Sequence, residues 1–149
     1  MPSTSSLMKR YEFILNSMSE GVYGLDADGL ASFVNPAAAK LTGWEADDLI
    51  GKNIHQFHHH SHADGSHYPK SDCPIYQCLQ DGETRFKENE VFWCKDGSSF
   101  AVEYSATPIL ENGDIQGAVV VFKNISERKH MEDNLKRALT EIRFLKEKL

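Results

Sequence analysis

The chain has 149 residues, 40% of them hydrophobic and 26% charged, with 16 Lys+Arg against 22 Asp+Glu and a formal charge of −6. That is room for one domain and one extra element. No apolar run approaches the roughly 20 residues that cross a bilayer, and the acidic balance argues against an electrostatic hold on nucleic acid.

The opening Met1-Pro2-Ser3-Thr4-Ser5-Ser6 has no apolar core behind a basic head, so it does not read as a secretory signal. Three cysteines, Cys73, Cys78 and Cys94, are too few and of the wrong parity for a disulfide framework, which makes the cytoplasm the expected compartment. Leu7, Tyr11, Ile14, Leu15 and Met18 recur at helical spacing and predict an amphipathic N-terminal helix within residues 1–18. Residues 21–25 and 30–34 form two short β-type runs around the Asp26-Ala27-Asp28-Gly29 turn, which predicts a hairpin. Asn35-Pro36 then opens a helix that Gly43 stops, since Asn caps and Pro suits the first helical position. Residues 45–50 give one more helical turn.

Six of the seven histidines fall between residues 55 and 82: His55, His58, His59, His60, His62 and His67. This stretch reads as loop until residues 73–79, a short helix with Pro74 in its first turn and Ser71 or Asp72 as its cap. Strands are expected at 86–94 and 99–109 around the Lys95-Asp96-Gly97-Ser98 turn. In the second of them Phe100, Val102, Tyr104 and Ala106 alternate with Ala101, Glu103 and Ser105, so one face is buried. Residues 117–122 are apolar at both parities, as in a central strand covered on both sides.

The tail has the cleanest period. Met131, Leu135, Ala138, Ile142, Leu145 and Leu149 are spaced 4, 3, 4, 3, 4, an a/d heptad seam amid charged residues. Two readings stay open: a helix folded back on its own domain, or a parallel two-stranded coil in a homodimer that continues into a further domain. A seam shorter than three heptads is marginal alone, which favours the second.

Helix, two strands, short helices, three antiparallel strands and an exit helix is an order that resembles the PAS domain. The residues carrying the resemblance are Glu20 to Gly29, Asn35 to Trp44, the Lys95–Ser98 turn with Val102 to Ile109, and Gly117 to Lys129. The resemblance implies an α+β fold: a five-stranded antiparallel sheet with short helices on one face, an N-terminal helix and a C-terminal coiled-coil linker helix. It divides the chain into a helix at 1–18, a sensor domain at 19–126 and a linker helix at 127–149. The family usually exits through Asp-Ile-Thr. Here Asn124, Ile125 and Ser126 stand there as the implied signal relay, with the carboxylate gone.

Members of this family are sensors with a cavity between sheet and helices. The implied pocket lining is Leu41, Leu49, Ile54, Phe100, Val102, Tyr104 and Ala106, residues a packed core would use equally. With no phosphate-binding loop, a small organic ligand suits that pocket better than a nucleotide. Photochemical flavin binding needs an Asn-Cys-Arg-Phe-Leu segment that is absent. Haem needs an axial His on the helix before the third strand; residues 73–79 have none, though the preceding loop could supply one. For a metal, His59, His62 and Cys73, or His58, His62 and Cys78, are the ligand types at hand. Their spacing matches no closed zinc motif. The alternative is a hydrogen-bonded loop in which Cys73 acts as a small apolar residue, and neighbouring imidazoles could also make the loop pH-sensitive.

No Gly-x-Ser-x-Gly elbow or phosphate loop is present, so catalysis is not expected of this chain. Residues 137–149 resemble the linker that joins a PAS sensor to an AAA+ ATPase in activators of the enhancer-dependent bacterial sigma factor. The runner-up is the linker of a sensor histidine kinase, cyclic-dinucleotide enzymes are among the remaining outputs, and a ligand-free dimerisation adaptor is a third class. No direct nucleic-acid or membrane contact is expected of this chain.

Overall fold

The computed structural model describes residues 4–148. Helix α1 (Thr4–Ser17) precedes the hairpin β1 (Gly21–Asp26) and β2 (Ala31–Val34). Helices α2 (Pro36–Thr42), α3 (Ala46–Leu49), α4 (Ile54–His58) and α5 (Pro74–Asp81) follow, then β3 (Arg85–Trp93), β4 (Ser99–Glu111), β5 (Asp114–Asn124) and α6 (Ser126–Lys148). The five strands form one antiparallel sheet in the order β2-β1-β5-β4-β3. The segment expected at the centre is there: β5 pairs with β1 on one side and β4 on the other.

The alternation read along β4 decides which face is core. Phe100, Val102, Tyr104 and Ala106 are buried, as are their β5 neighbours Ala118, Val120 and Phe122. Val119 and Val121 are only half-buried, so β5 is less covered on its second face than its composition predicts. Gly117 allows β1 and β5 to meet, since a Cβ there would lie 2.0 Å from the Leu25 carbonyl oxygen.

Asn35 ties the N-terminal third together. Its Oδ1 accepts from the amides of Val22 and Ala38, and its Nδ2 donates to the carbonyls of Leu15 and Glu20. One fully buried side chain therefore caps α2, holds β1 and fixes the end of α1. Gly43 closes α2 in the left-handed region at φ 78° as expected.

Two local expectations differ. The cap of α5 is Cys73, not Ser71 or Asp72, because Lys70–Asp72 winds into a 3-10 turn of its own. Residues 54–58 form a helix where loop was expected. Asn53 starts it by accepting the His55 amide.

The tail helix does not fold back along the domain. Met131, Leu135, Ile142 and Leu145 are all more than half exposed, and Ala138 is exposed as well. Leu149, the last position of the expected seam, and residues 1–3 lie outside the described residues. Leu7, Met8, Tyr11, Phe13 and Ile14 of α1 are likewise exposed.

Candidate functional site

Between α4, the following loop, α5 and the inner face of β3–β4 lies a group of polar side chains, all buried except the half-buried Glu90. His55, His58 and His59 come from α4 and its C-cap, and all three are buried. Cys73 comes from the N-cap of α5, Glu90 from β3 and Tyr104 from β4. Buried polar groups cost free energy unless they are hydrogen-bonded, so the partners matter.

Glu90 is the hub. Its Oε1 accepts from His59 Nε2 at 2.8 Å and from the Tyr104 hydroxyl at 2.5 Å, while Oε2 accepts from the Tyr68 hydroxyl at 2.8 Å. Burial pushes the carboxyl pKa up, but the bonds from His59, Tyr104 and Tyr68 outweigh it and bring it down to about 2. Burial, and then the same carboxylate, push both tyrosines well above their ordinary range, so they stay donors.

His59 reaches Cys73 through its other nitrogen, with Nδ1 3.1 Å from Sγ. Burial raises the Cys73 thiol to about 11. With Glu90 taking the Nε2–H, Nδ1 is left to accept from the thiol. His55 donates Nε2–H to the Tyr68 carbonyl at 2.7 Å, and its Nδ1 has no hydrogen-bond partner although it is buried. Burial holds the His55 pKa below the ordinary histidine value.

His58 belongs to a separate pair. Its ring stacks on Tyr23 and accepts the Tyr23 hydroxyl at 2.6 Å, while Nδ1 donates to the Trp93 carbonyl at 3.2 Å. Burial lowers its pKa to about 4 and keeps it neutral. Tyr76 of α5 donates to Asn53 Oδ1 and to the Gly29 carbonyl, linking α5 to the first hairpin. Gly29, at φ 83°, leaves room for that ring: a Cβ there would come within 2.3 Å of it.

The seven expected pocket residues come together, but as core. Leu49, Ile54, Phe100, Val102, Tyr104 and Ala106 are buried side chains of the main hydrophobic cluster, and Leu41 packs against its edge. The rings of Phe92, Phe122, Tyr23 and His58 stack through the same interior. Beside His59 and Glu90 lies a cleft of about 50 Å³, lined also by His62, Tyr68 and Asn89.

Of the expected metal set, His59 and Cys73 are brought together and His62 is not. His62 is exposed and lies flat on Tyr68 with ring centroids 4.2 Å apart. His55 takes its place: one ligand atom each from His55, His59 and Cys73 lie within 4.8 Å of one another. In the other combination, Cys78 is fully buried on α5 and His58 is engaged with Tyr23. Neither His55 nor Glu90 was singled out from sequence. The signal for His55 was Asn53, whose capping of a turn puts residues 55 and 59 one helical turn apart.

At the root of α6, Asn124 Oδ1 accepts from the Ser126 amide, Ser126 Oγ accepts from the Ala101 amide, and Ile125 donates to the Ala101 carbonyl. Ile125 is buried. Arg128 pairs with Glu103 at 3.2 Å. Asn124, Ile125 and Ser126, the residues expected to form the relay, thus join the first turn of α6 to both β4 and β5.

Comparison with known proteins agrees with this architecture. The family model for the PAS fold matches residues 9–125. The chain is 27% identical over 128 residues to the probable diguanylate cyclase DgcE of Escherichia coli, 83% of this chain and 11% of that protein. It is 27% identical over 123 residues to two-component system protein A of Emericella nidulans, 82% of this chain and 17% of that protein. The transcriptional activator RocR of Bacillus subtilis is 24% identical over 121 residues, 81% of this chain and 25% of RocR. The chain therefore spans a quarter or less of the length of these relatives. Among solved structures, the PAS domain of an HTR-like protein from Haloarcula marismortui superposes with a TM-score of 0.63 at 19% identity, covering 81% of this chain and 93% of that one. The PAS domain of nitrogen regulation protein NR(II) from Vibrio parahaemolyticus gives 0.59 at 23% identity, covering 77% and 97%. With the strand order, the inward face of β4 and the match over residues 9–125, the chain belongs to the PAS fold family.

Proposed function

We propose that this chain is the sensory and dimerisation module of a signalling protein and passes its state through a coiled coil formed by α6 to an output domain. The observation that carries this reading is the pairing of two features on one helix. The root of α6 is hydrogen-bonded into the two innermost strands of the C-terminal half, and its a/d seam is exposed along the described length. An apolar stripe left in water favours a partner helix. The relatives are far longer proteins with regulatory names, which supports an output domain joined to this module.

The output we favour is transcriptional control through an AAA+ ATPase, in keeping with the tail motif and with the likeness to an activator. The likeness to a two-component protein supports the histidine-kinase alternative. In either case catalysis belongs to the output domain and not to this chain. Among the described residues no helix is long and apolar enough to cross a membrane. Three free cysteines fit the cytoplasm. Because the expected pocket is filled by core side chains, we place the input at the His–Cys–Glu group. An input shifts output only if the two states bind it with different affinity.

Sedimentation velocity tests the coil: the chain sediments as a dimer, and Leu135→Lys with Ile142→Lys shifts it to monomer. A monomeric wild-type chain refutes the coil at this length. In the full-length protein, the Asn124→Ala, Ser126→Ala double variant uncouples output from input. A folded double variant with an unchanged response overturns the relay and leaves a dimerisation adaptor.

A further inference from the structure

We propose that His55, His59 and Cys73 bind one divalent ion of the zinc class. The three side chains come from two elements packed against each other, α4 with its C-cap and the N-cap of α5, and all three are buried.

The arrangement of hydrogen bonds is what singles this trio out from the other histidines. Each imidazole has its Nε2–H tied down, in His55 by the Tyr68 carbonyl and in His59 by the Glu90 carboxylate. Metal-bound imidazoles characteristically donate their second N–H to a carbonyl or carboxylate, which fixes the tautomer and raises the basicity of the free nitrogen. Both free nitrogens here are Nδ1. That of His59 lies on Sγ of Cys73, and that of His55 is buried with no hydrogen-bond partner. A buried lone pair without a partner is costly in a folded protein, and an ion would engage it.

Chemistry and charge agree. Two imidazoles and a thiolate suit zinc and its neighbours, not calcium or magnesium. Binding releases the Cys73 thiol proton to solvent, and the sulfur then coordinates as thiolate. The Ile75 and Tyr76 amides at the start of α5 favour that thiolate, although they form no capping bond of ordinary geometry. The two positive charges of the ion are then balanced by Cys73 and the adjoining Glu90. The His59–Cys73 separation of 3.1 Å must open only slightly, since zinc bonds of ordinary length at a tetrahedral angle put N and S about 3.5 Å apart. A cleft with the exposed His62 and Asn89 on its rim reaches His59 and Glu90 from solvent. Three protein ligands leave one coordination position for water or a small ligand.

The site deepens the input reading proposed above, and it is tested apart from the coiled-coil relay because binding is read on the purified chain alone. Chelator-treated protein is titrated with Co²⁺ as a spectroscopic stand-in, then with competing Zn²⁺. The expected result is one equivalent bound, with a thiolate-to-cobalt charge-transfer band and the visible bands of a tetrahedral site. Zinc should displace cobalt and raise the thermal midpoint by about 5–10 °C at a hundredfold excess over Kd. Cys73→Ser should abolish the charge-transfer band, and His55→Gln should weaken binding more than tenfold. Glu90→Gln should weaken it by about 10–100-fold, because the neutral amide holds His59 without the carboxylate charge that balances the ion. His62→Ala and His67→Ala should leave it unchanged. Cobalt bound to the wild-type chain without a thiolate band overturns the site whether or not the variants fold. So does binding lost on His62→Ala or His67→Ala, which would mark surface histidines instead.

Discussion

Asn35 offers the sharpest test of how the domain is held together, because one buried side chain makes four hydrogen bonds to three elements. Replacing it with alanine removes the cap of α2, worth about 1 kcal/mol. It also leaves the Val22 amide and the Leu15 and Glu20 carbonyls without their side-chain partner, at about 1–3 kcal/mol for each such group that water cannot reach. The Leu15 and Glu20 ends are partly solvated, so the total expected for Asn35→Ala is about 3 kcal/mol. For a domain of this size that corresponds to a fall of about 6–12 °C in Tm. Asn35→Asp separates the two halves of the role. It keeps both accepted bonds but turns a carboxylate toward two carbonyls, so the loss should be smaller and concentrated on α1. Urea unfolding gives the totals, and amide hydrogen exchange shows where protection is lost. In Asn35→Asp, residues 5–18 should exchange faster while α2 keeps its protection. A loss below about 1 kcal/mol for Asn35→Ala, or equal deprotection of α2 in both variants, would refute this reasoning.

Three further outcomes follow from the same structure. Glu90→Ala should cost about 2–4 kcal/mol in urea unfolding, because Tyr68, Tyr104 and His59 all lose their acceptor, and Glu90→Gln should cost about half of that; a neutral Glu90→Ala contradicts the hub. Gly117→Ala should cost more than about 3 kcal/mol or prevent folding, since its Cβ meets the Leu25 carbonyl, whereas Gly65→Ala, with open space around it, should cost only about 1–2 kcal/mol for its positive φ. Burial raises the Glu103 pKa, but Arg128 and Lys123 outweigh it and the net shift is downward. A depressed carboxylate stabilises above its unfolded pKa and loses that contribution as pH falls through the folded value. Protection of residues 127–132, corrected for intrinsic exchange, should therefore drop between pH 5 and pH 3 in wild type but not in Glu103→Gln. An identical drop in both would remove Glu103 from the anchoring of α6.

Most of the framework was legible because it rests on local rules. Asn35-Pro36 and Gly43 bracket α2 by capping chemistry, and the alternation through residues 100–106 gives the inner face of β4 directly. The heptad seam is a plain 4-3 spacing. What sequence could not supply was the site. Helix α4 is a single turn with two histidines and a third at its C-cap, too short to show a period, so residues 54–58 read as loop in the sequence. Alternation from Phe92 carries Glu90 to the inner face, but His59, Tyr68 and Tyr104 reach it from other elements. The same alternation would place Phe86 inside, yet Phe86 is exposed, because the register shifts between Lys87 and Glu90. The pocket expectation named the right neighbours but could not decide whether aromatic rings from other strands would fill the space between them. Phe92, Tyr23 and Phe122 do so from three different strands.

The irregularity in β3 also governs how copies of this chain can meet. β3 is an edge strand, and an open edge invites another chain to extend the sheet. The extra residue between Lys87 and Glu90 interrupts the row of amides and carbonyls that a foreign strand would have to match. Lys87 and Glu88 add charge along the same stretch, and both are exposed. At the opposite edge β2 has only four residues. Growth of the sheet is thus blocked at both ends, by a kink and charge on one side and by brevity on the other. The association proposed above would then fall to the helices that project from the fold, where contact is between side chains and can be broken and remade without disturbing the strands.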